Sequence, residues 1–198
     1  MGLYNGPAIR KADQNHWEYL LVAHPDQPVY EKLLEEKKFF DDGYGYAART
    51  LPGITITQFL AKEQMEGTLI RWIQNICRMQ TAFTVTLNNY SGFPPHTIYL
   101  RIQDPGPFEH LAHQLKIIDG FVQDNDCPPV HVHEVPHLPI ASCLPEHIYN
   151  EAIASYAHRS FHESFKVDKL LLTRRASVHD NLELVNTFTL ASDLISCN

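Results

Sequence analysis

No run of apolar residues in this sequence approaches the length of a membrane span, and cysteine is scarce. A spanning helix needs about 20 predominantly apolar residues. Residues 1–15 are polar, without the hydrophobic segment of a signal peptide. The four cysteines show no Cys-x-x-Cys spacing, so neither a disulfide framework nor a zinc ribbon is indicated. These absences predict a cytoplasmic protein with no membrane partner.

Positive charge is also in the minority, with 16 Lys and Arg against 23 Asp and Glu and a net charge of -7. Proteins bind long nucleic acids by neutralising many phosphates with Lys and Arg, so this balance argues against such a partner. A local pocket for one phosphate group remains compatible with it. The 198 residues are 44% hydrophobic and 11% aromatic, which is enough for a substantial core.

Apolar periodicity divides the first part of the chain into strands and helices. Residues 19–22 form a short apolar run, and a helical stripe follows it as far as Phe40. Residues 53–57 alternate with strand period, residues 65–79 carry a helical stripe, and residues 83–89 alternate again. The order is therefore β-α-β-α-β.

The second part of the chain repeats this order. Residues 97–102 predict a strand, residues 108–121 one helix, residues 136–141 a short extended piece, and residues 164–172 a strand after a helix that begins near Pro145. The repeat is also visible in the letters, since HWEYL at 16–20 corresponds to HTIYL at 96–100. We predict a single domain over residues 1–198, with pseudo-repeats at about 16–90 and 96–190. A strand near Phe188 would complete a sheet edge.

A duplicated chain of this order, with Pro136-His137-Leu138-Pro139 in its second half, resembles the two-histidine phosphoesterase superfamily. That superfamily includes RNA 2',5'-ligase-like proteins and cyclic phosphodiesterases. The resemblance implies a bilobal, pseudo-two-fold α+β fold, with two antiparallel sheets around a central cleft and helices outside. The family mark is a His-x-Thr/Ser-x motif in each half. One imidazole takes a proton from the attacking hydroxyl, the other gives a proton to the leaving oxygen, and the hydroxyl side chains bind phosphate oxygens. No metal and no cofactor are implied.

Two of the four motif positions are substituted in this sequence. Gly53 stands where the first histidine is expected, and Pro139 stands where the second hydroxyl residue is expected. Thr55 and His137 survive as the predicted catalytic residues. The resemblance thus implies a phosphodiesterase-like protein that binds a small phosphorylated ligand, a nucleotide or an RNA terminus, with hydrolysis weak or lost. A noncatalytic interaction module with a vestigial cleft is the alternative. Proline cannot donate to a strand ladder, so Pro139 predicts a displaced or edge strand.

Histidines offer a rival chemistry. On a continuous strand, His131, His133 and His137 would face one way and could ligate zinc or nickel. Prolines around them break regular pairing, so a histidine-bearing surface loop is the other interpretation. A further hypothesis is that one of these histidines replaces the imidazole missing at position 53.

Aromatic side chains and one more histidine complete the predicted site. Tyr44 and Tyr46 are spaced by glycine and could stack on a base, while His96 could line the mouth of the cleft. The alternatives are an ordinary Gly-Tyr loop and a strand-capping histidine. We assign these three residues to substrate binding. The sequence gives no indication of oligomeric state.

Overall fold

The computed structural model describes residues 16–46, 51–133 and 135–192. Cys197 lies outside them, and within them Cys77, Cys127 and Cys143 are free thiols. The elements in chain order are β1 (His16–Ala23), α1 (Gln27–Tyr44), β2 (Ile54–Lys62), α2 (Glu66–Met79), β3 (Phe83–Phe93), β4 (Thr97–Ile102), α3 (Gly106–Leu115), α4 (Ile117–Asp124), β5 (His131–Val132), β6 (His137–Ala141), α5 (Glu146–Tyr156), β7 (His162–Val167), β8 (Lys169–Arg175) and β9 (Glu183–Thr189). Across these ranges, no helix is long and apolar enough to cross a bilayer.

The strands form two antiparallel sheets, as the sequence predicted. Sheet 1 has the order β5-β2-β1-β8-β9, and sheet 2 has the order β6-β4-β3-β7. The sheets do not correspond to the two sequence halves. The last strand of the first half, β3, lies in sheet 2, whereas β8 and β9 of the second half lie in sheet 1. Each half therefore contributes strands to both lobes of this bilobal α+β fold.

Three boundaries differ from the sequence prediction. The helix expected over residues 108–121 is two helices that meet at Lys116. The apolar stripe continues across this joint, which is why the sequence predicted one helix. The strand expected over residues 164–172 is β7 and β8, which Asp168 separates into different sheets. Residues 91–93 continue β3, and the turn comes at Pro94-Pro95.

Local signals explain where α1 begins and ends. The Asp26 side chain accepts a hydrogen bond from the Val29 backbone at 3.2 Å and caps the first turn, which also contains Pro28. Gly45 ends the helix in the left-handed conformation with φ 70, which costs a residue without Cβ little. The helix α1 thus begins shortly after β1 and ends at Tyr44.

Sheet 1 packs one face of β1 against α2. Tyr19, Leu21 and Ala23 are fully buried, and the Tyr19 hydroxyl donates to Glu66 of α2 at 3.0 Å. The Tyr19 ring also stacks on Phe59 of β2, with 5.4 Å between ring centroids. Successive strand residues point to opposite faces, so the side chains of Glu18, Leu20 and Val22 lie on the face away from α2.

Candidate functional site

The two motif strands approach each other where the sheets meet. β2 of sheet 1 lies against β6 of sheet 2, and residues 133–137 connect β5 to β6 across the same junction. Thr55 is paired with Val22 in the β1–β2 ladder. Directly opposed residues of a ladder share a face, so Thr55 lies on the face of sheet 1 that points away from α2.

The corresponding face of sheet 2 carries His137. Pro139 is opposite Tyr99 in the β4–β6 ladder, and His137 is opposite Arg101. The His137 ring packs edge-on against two aromatic rings, with its centroid 4.9 Å from Phe93 and 5.1 Å from Tyr99. These rings hold the imidazole in one orientation.

A backbone contact assigns the proton on His137. Its Nδ1 lies 2.8 Å from the Val135 carbonyl oxygen, which can only accept, so Nδ1 carries the hydrogen. Burial lowers the pKa of His137, an effect that this hydrogen bond partly offsets. The ring is therefore neutral at pH 7, with a lone pair on Nε2. This is the form that can take a proton from a hydroxyl.

His137 lines a cleft of about 1080 Å³, which we call the histidine groove. One wall is α3, which contributes Glu109 and His113, together with Lys116 at its C-terminal end. The opposite wall is formed by residues 130–133 together with Val135 and His137, and the β3–β4 turn closes one end. The groove contains five histidines: His96, His113, His131, His133 and His137.

One half-buried member of this set, His133, is a neutral imidazole. Burial first, then the neighbouring His131 and His137, lower the pKa of His133 to about 4. Its ring centroid is 4.8 Å from that of His131 and 6.3 Å from that of His137. Nε2 of His133 is buried and has no hydrogen-bond partner among the residues described.

A comparison with protein families identifies this architecture. The sequence matches the model of the 2'-5' RNA ligase superfamily over residues 26–179. The chain belongs to the 2'-5' RNA ligase superfamily. The resemblance inferred from the motifs is therefore confirmed. A comparison with curated proteins gives no match.

Solved structures share the fold of this superfamily member at low sequence identity. E. coli LigT complexed with 3'-AMP is 14% identical, with a TM-score of 0.67, and the match covers 88% of this chain and 98% of LigT. TT0787 of Thermus thermophilus is 15% identical, with a TM-score of 0.66, and the match covers 89% of this chain and 99% of that one. At these identities the likeness concerns the fold.

The structure shows the surroundings of both substituted motif positions, Gly53 and Pro139. Gly53 is buried, and a Cβ placed on it would lie 2.7 Å from Cγ1 of Val22. Position 53 therefore has no room for the usual histidine unless Val22 moves. Pro139 lies in β6, which is an edge strand of sheet 2. The edge position predicted from the proline is confirmed.

The other predicted residues are dispersed. Of the described residues, His96 joins His137 in the groove, and its Nδ1 lies 2.8 Å from the Thr97 hydroxyl. Thr55 is half-buried on β2 and does not line the groove. Tyr44 packs on Phe40, with 4.8 Å between ring centroids, and Tyr46 packs against the core. The catalytic role of Thr55 and the binding roles of His96, Tyr44 and Tyr46 remain predictions.

The three histidines considered for a metal do not form one continuous strand. His131 lies in β5, which is an edge strand of sheet 1, whereas His137 is the first residue of β6 in sheet 2. Within the described parts of the chain, no group of three or more His, Cys, Asp or Glu side chains is arranged to hold a metal ion.

No sequence motif points to His24. This residue follows β1, and its ring lies near the backbone of Gly53. No motif marks it, because the two residues are far apart in sequence and only the β1–β2 register brings them together.

His133 makes stability depend on pH. In the unfolded chain a histidine has a pKa of about 6.5, whereas the folded value is about 4. Between these values the unfolded state binds more protons. The contribution of His133 is thus fully present above about pH 6.5 and is lost as the pH falls toward 4. We expect His133→Gln to reduce the acid-induced loss of unfolding free energy by about 1 kcal/mol or more.

Urea titrations at several pH values between 7 and 4 measure this difference. His147→Gln is the matched control, since His147 is exposed on α5, and it should follow the unmodified protein. Parallel curves for His133→Gln and the unmodified protein would contradict the assignment.

Proposed function

We propose that this member of the superfamily binds a small phosphorylated ligand, a nucleotide or an RNA end, in the cleft between its two sheets and hydrolyses it weakly or not at all. The observation that carries the proposal is the His137 imidazole. It is fixed by Phe93, Tyr99 and Val135, and its Nε2 is free to meet a ligand in a groove of about 1080 Å³.

The charges of the groove support a phosphate. Lys116 supplies a cation on the α3 wall, and a neutral imidazole that gains a proton beside a phosphate becomes a second one. Glu109 and Asp119 also line the groove, and their negative charge disfavours a highly charged polyanion. A ligand with one phosphate on an otherwise neutral body fits this balance. Solved LigT complexes with 3'-AMP, phosphate, ATP and NADP+ supply the probes.

The two substituted motif positions support weak hydrolysis. One acid-base group contributes about 10² to 10⁴-fold in rate, and one donor to a developing anion contributes about 10² to 10³-fold. Gly53 supplies no imidazole, and Pro139 has neither a hydroxyl nor a backbone N–H. Turnover of a cyclic phosphate should therefore fall several orders of magnitude below that of a protein with both motifs intact.

A titration with 3'-AMP tests the proposal. Isothermal calorimetry should show binding by the unmodified protein, and His137→Ala should weaken it by about tenfold or more, because a hydrogen bond to a charged group is lost. His147→Ala, on the exposed face of α5, is the control and should bind as before. Assays with 2',3'-cyclic AMP should give slow turnover or none.

Two results would overturn this function. The folded protein could bind none of 3'-AMP, phosphate, ATP and NADP+, or it could bind them equally well without the His137 imidazole. Rapid hydrolysis of 2',3'-cyclic AMP would overturn the hydrolysis part alone.

The proposal also covers the location of the protein, its domain extent and three further ligand contacts. We propose a cytoplasmic location and a single domain over residues 1–198. Tyr44, Tyr46 and His96 are proposed contacts to the ligand body, and single alanine variants in the same titration test each of them.

A further inference from the structure

The pairing of β1 with β2 defines what lies across from Gly53. Val22 is opposite Thr55, and Ala23 is opposite Ile54. One further step along each chain places His24 across from Gly53. Opposed residues of an antiparallel pair have their Cβ atoms about 4.5 to 5.5 Å apart on the same face. The His24 side chain therefore lies on the face that carries Val22 and Thr55.

The distance from Gly53 shows how close the His24 imidazole lies to position 53. A Cβ placed on Gly53 would lie 3.9 Å from Cδ2 of His24, which is ordinary van der Waals contact. The His24 ring thus lies in contact with the position that the Cβ of a side chain at residue 53 would occupy. Any such side chain would also collide with Val22, since the same Cβ would be 2.7 Å from Cγ1.

The surroundings of His24 suit a ligand contact. The ring is half-buried and lies 5.3 Å from the Tyr30 ring of α1, tilted by 30°. Burial, and then the positive charge of Lys169 on β8, lower the pKa of His24. Its imidazole is therefore neutral at pH 7, like that of His137, and can accept a proton. Lys169 adds a positive charge beside it.

We propose that His24 supplies, from β1, the imidazole that position 53 of β2 lacks, and that it contacts the phosphorylated ligand together with His137. The inference rests on the proposed function and extends the ligand site from the histidine groove to His24, which does not itself line the groove. It differs from the earlier hypothesis, in which His131 or His133 replaced the missing side chain. Those two residues belong to the β5 region, whereas His24 lies across from position 53, one step beyond the last pair of the β1–β2 ladder.

The test is a titration of His24→Ala and His24→Gln with 3'-AMP. Both variants should bind about tenfold more weakly than the unmodified protein, a loss like that of His137→Ala. Their thermal unfolding should stay close to that of the unmodified protein, because the ring is half-buried and lies beyond the end of β1. His147→Ala again serves as the control.

A second readout separates contact from structure. In the unmodified protein labelled with nitrogen-15, adding 3'-AMP should shift the imidazole resonances of His24 and His137 over the same concentration range. Unchanged His24 resonances, or unchanged affinity in both His24 variants, would overturn the inference and leave the proposed function standing. Absence of 3'-AMP binding by the unmodified protein would overturn both.

Discussion

Replacing Arg175 by alanine is expected to lower the free energy of unfolding by about 3 kcal/mol or more. Arg175 lies opposite Glu18 in the β1–β8 ladder, and its Nε donates to the Glu18 carboxylate. Glu18 is only 3% exposed. Gln58 of β2 also donates to it. Among the described residues, the variant would leave the buried carboxylate with one neutral donor and no cation, and a change of this kind is strongly destabilising.

Urea unfolding at pH 7 measures this loss. Arg78→Ala is the matched control, because Arg78 is exposed in the last turn of α2, and it should change stability by less than about 0.5 kcal/mol. The double variant Glu18→Gln, Arg175→Met removes both charges and should recover much of the loss. A cost below about 1 kcal/mol for Arg175→Ala would show that the Glu18 carboxylate is solvated or paired elsewhere.

Gly53→Ala is expected to destabilise the protein by about 2 kcal/mol, although it adds a single methyl group. The new carbon would be 2.7 Å from Cγ1 of Val22, and a β-branched side chain on a strand has little freedom to turn away. Gly53→His should cost at least as much, since its ring would also meet His24. Val22→Ala in the same chain should remove most of the Gly53→Ala penalty.

The control for this experiment is a glycine with open space around it. Gly67 lies in the first turns of α2, and a Cβ there would have nothing within 4 Å. Gly67→Ala should leave stability unchanged or raise it by up to about 1 kcal/mol, because alanine is the better helix former. Equal effects of alanine at positions 53 and 67 would show that Val22 yields without cost.

Much of the fold was accessible from periodicity, because most elements bury one face. The strand predicted at residues 97–102 coincides with β4, and the added strand near Phe188 is β9 at the edge of sheet 1. The joint at Lys116 was not visible, since Leu115 and Ile118 on either side of it are both fully buried and continue one stripe. Sheet membership was also not visible, because alternation marks a strand without naming its neighbours.

Some residues of the candidate site could be predicted from the local sequence, and others depend on tertiary structure. His137 and the edge position of Pro139 could be inferred locally, one from a motif and the other from the missing N–H of proline. The contribution of α3 to the groove could not, because it depends on how Lys116 and His113 lie against the segment after β5. His24 needed the register of two strands separated by the whole of α1.

The single residue between β7 and β8 limits how the cleft can change its width. Asp168 is the whole connection from sheet 2 to sheet 1 at that point, and its carbonyl oxygen also accepts from the Leu190 backbone at 2.8 Å. One residue spans less than about 4 Å, so the lobes cannot translate apart there. Any widening of the cleft would therefore have to leave β7 and β8 adjacent at Asp168.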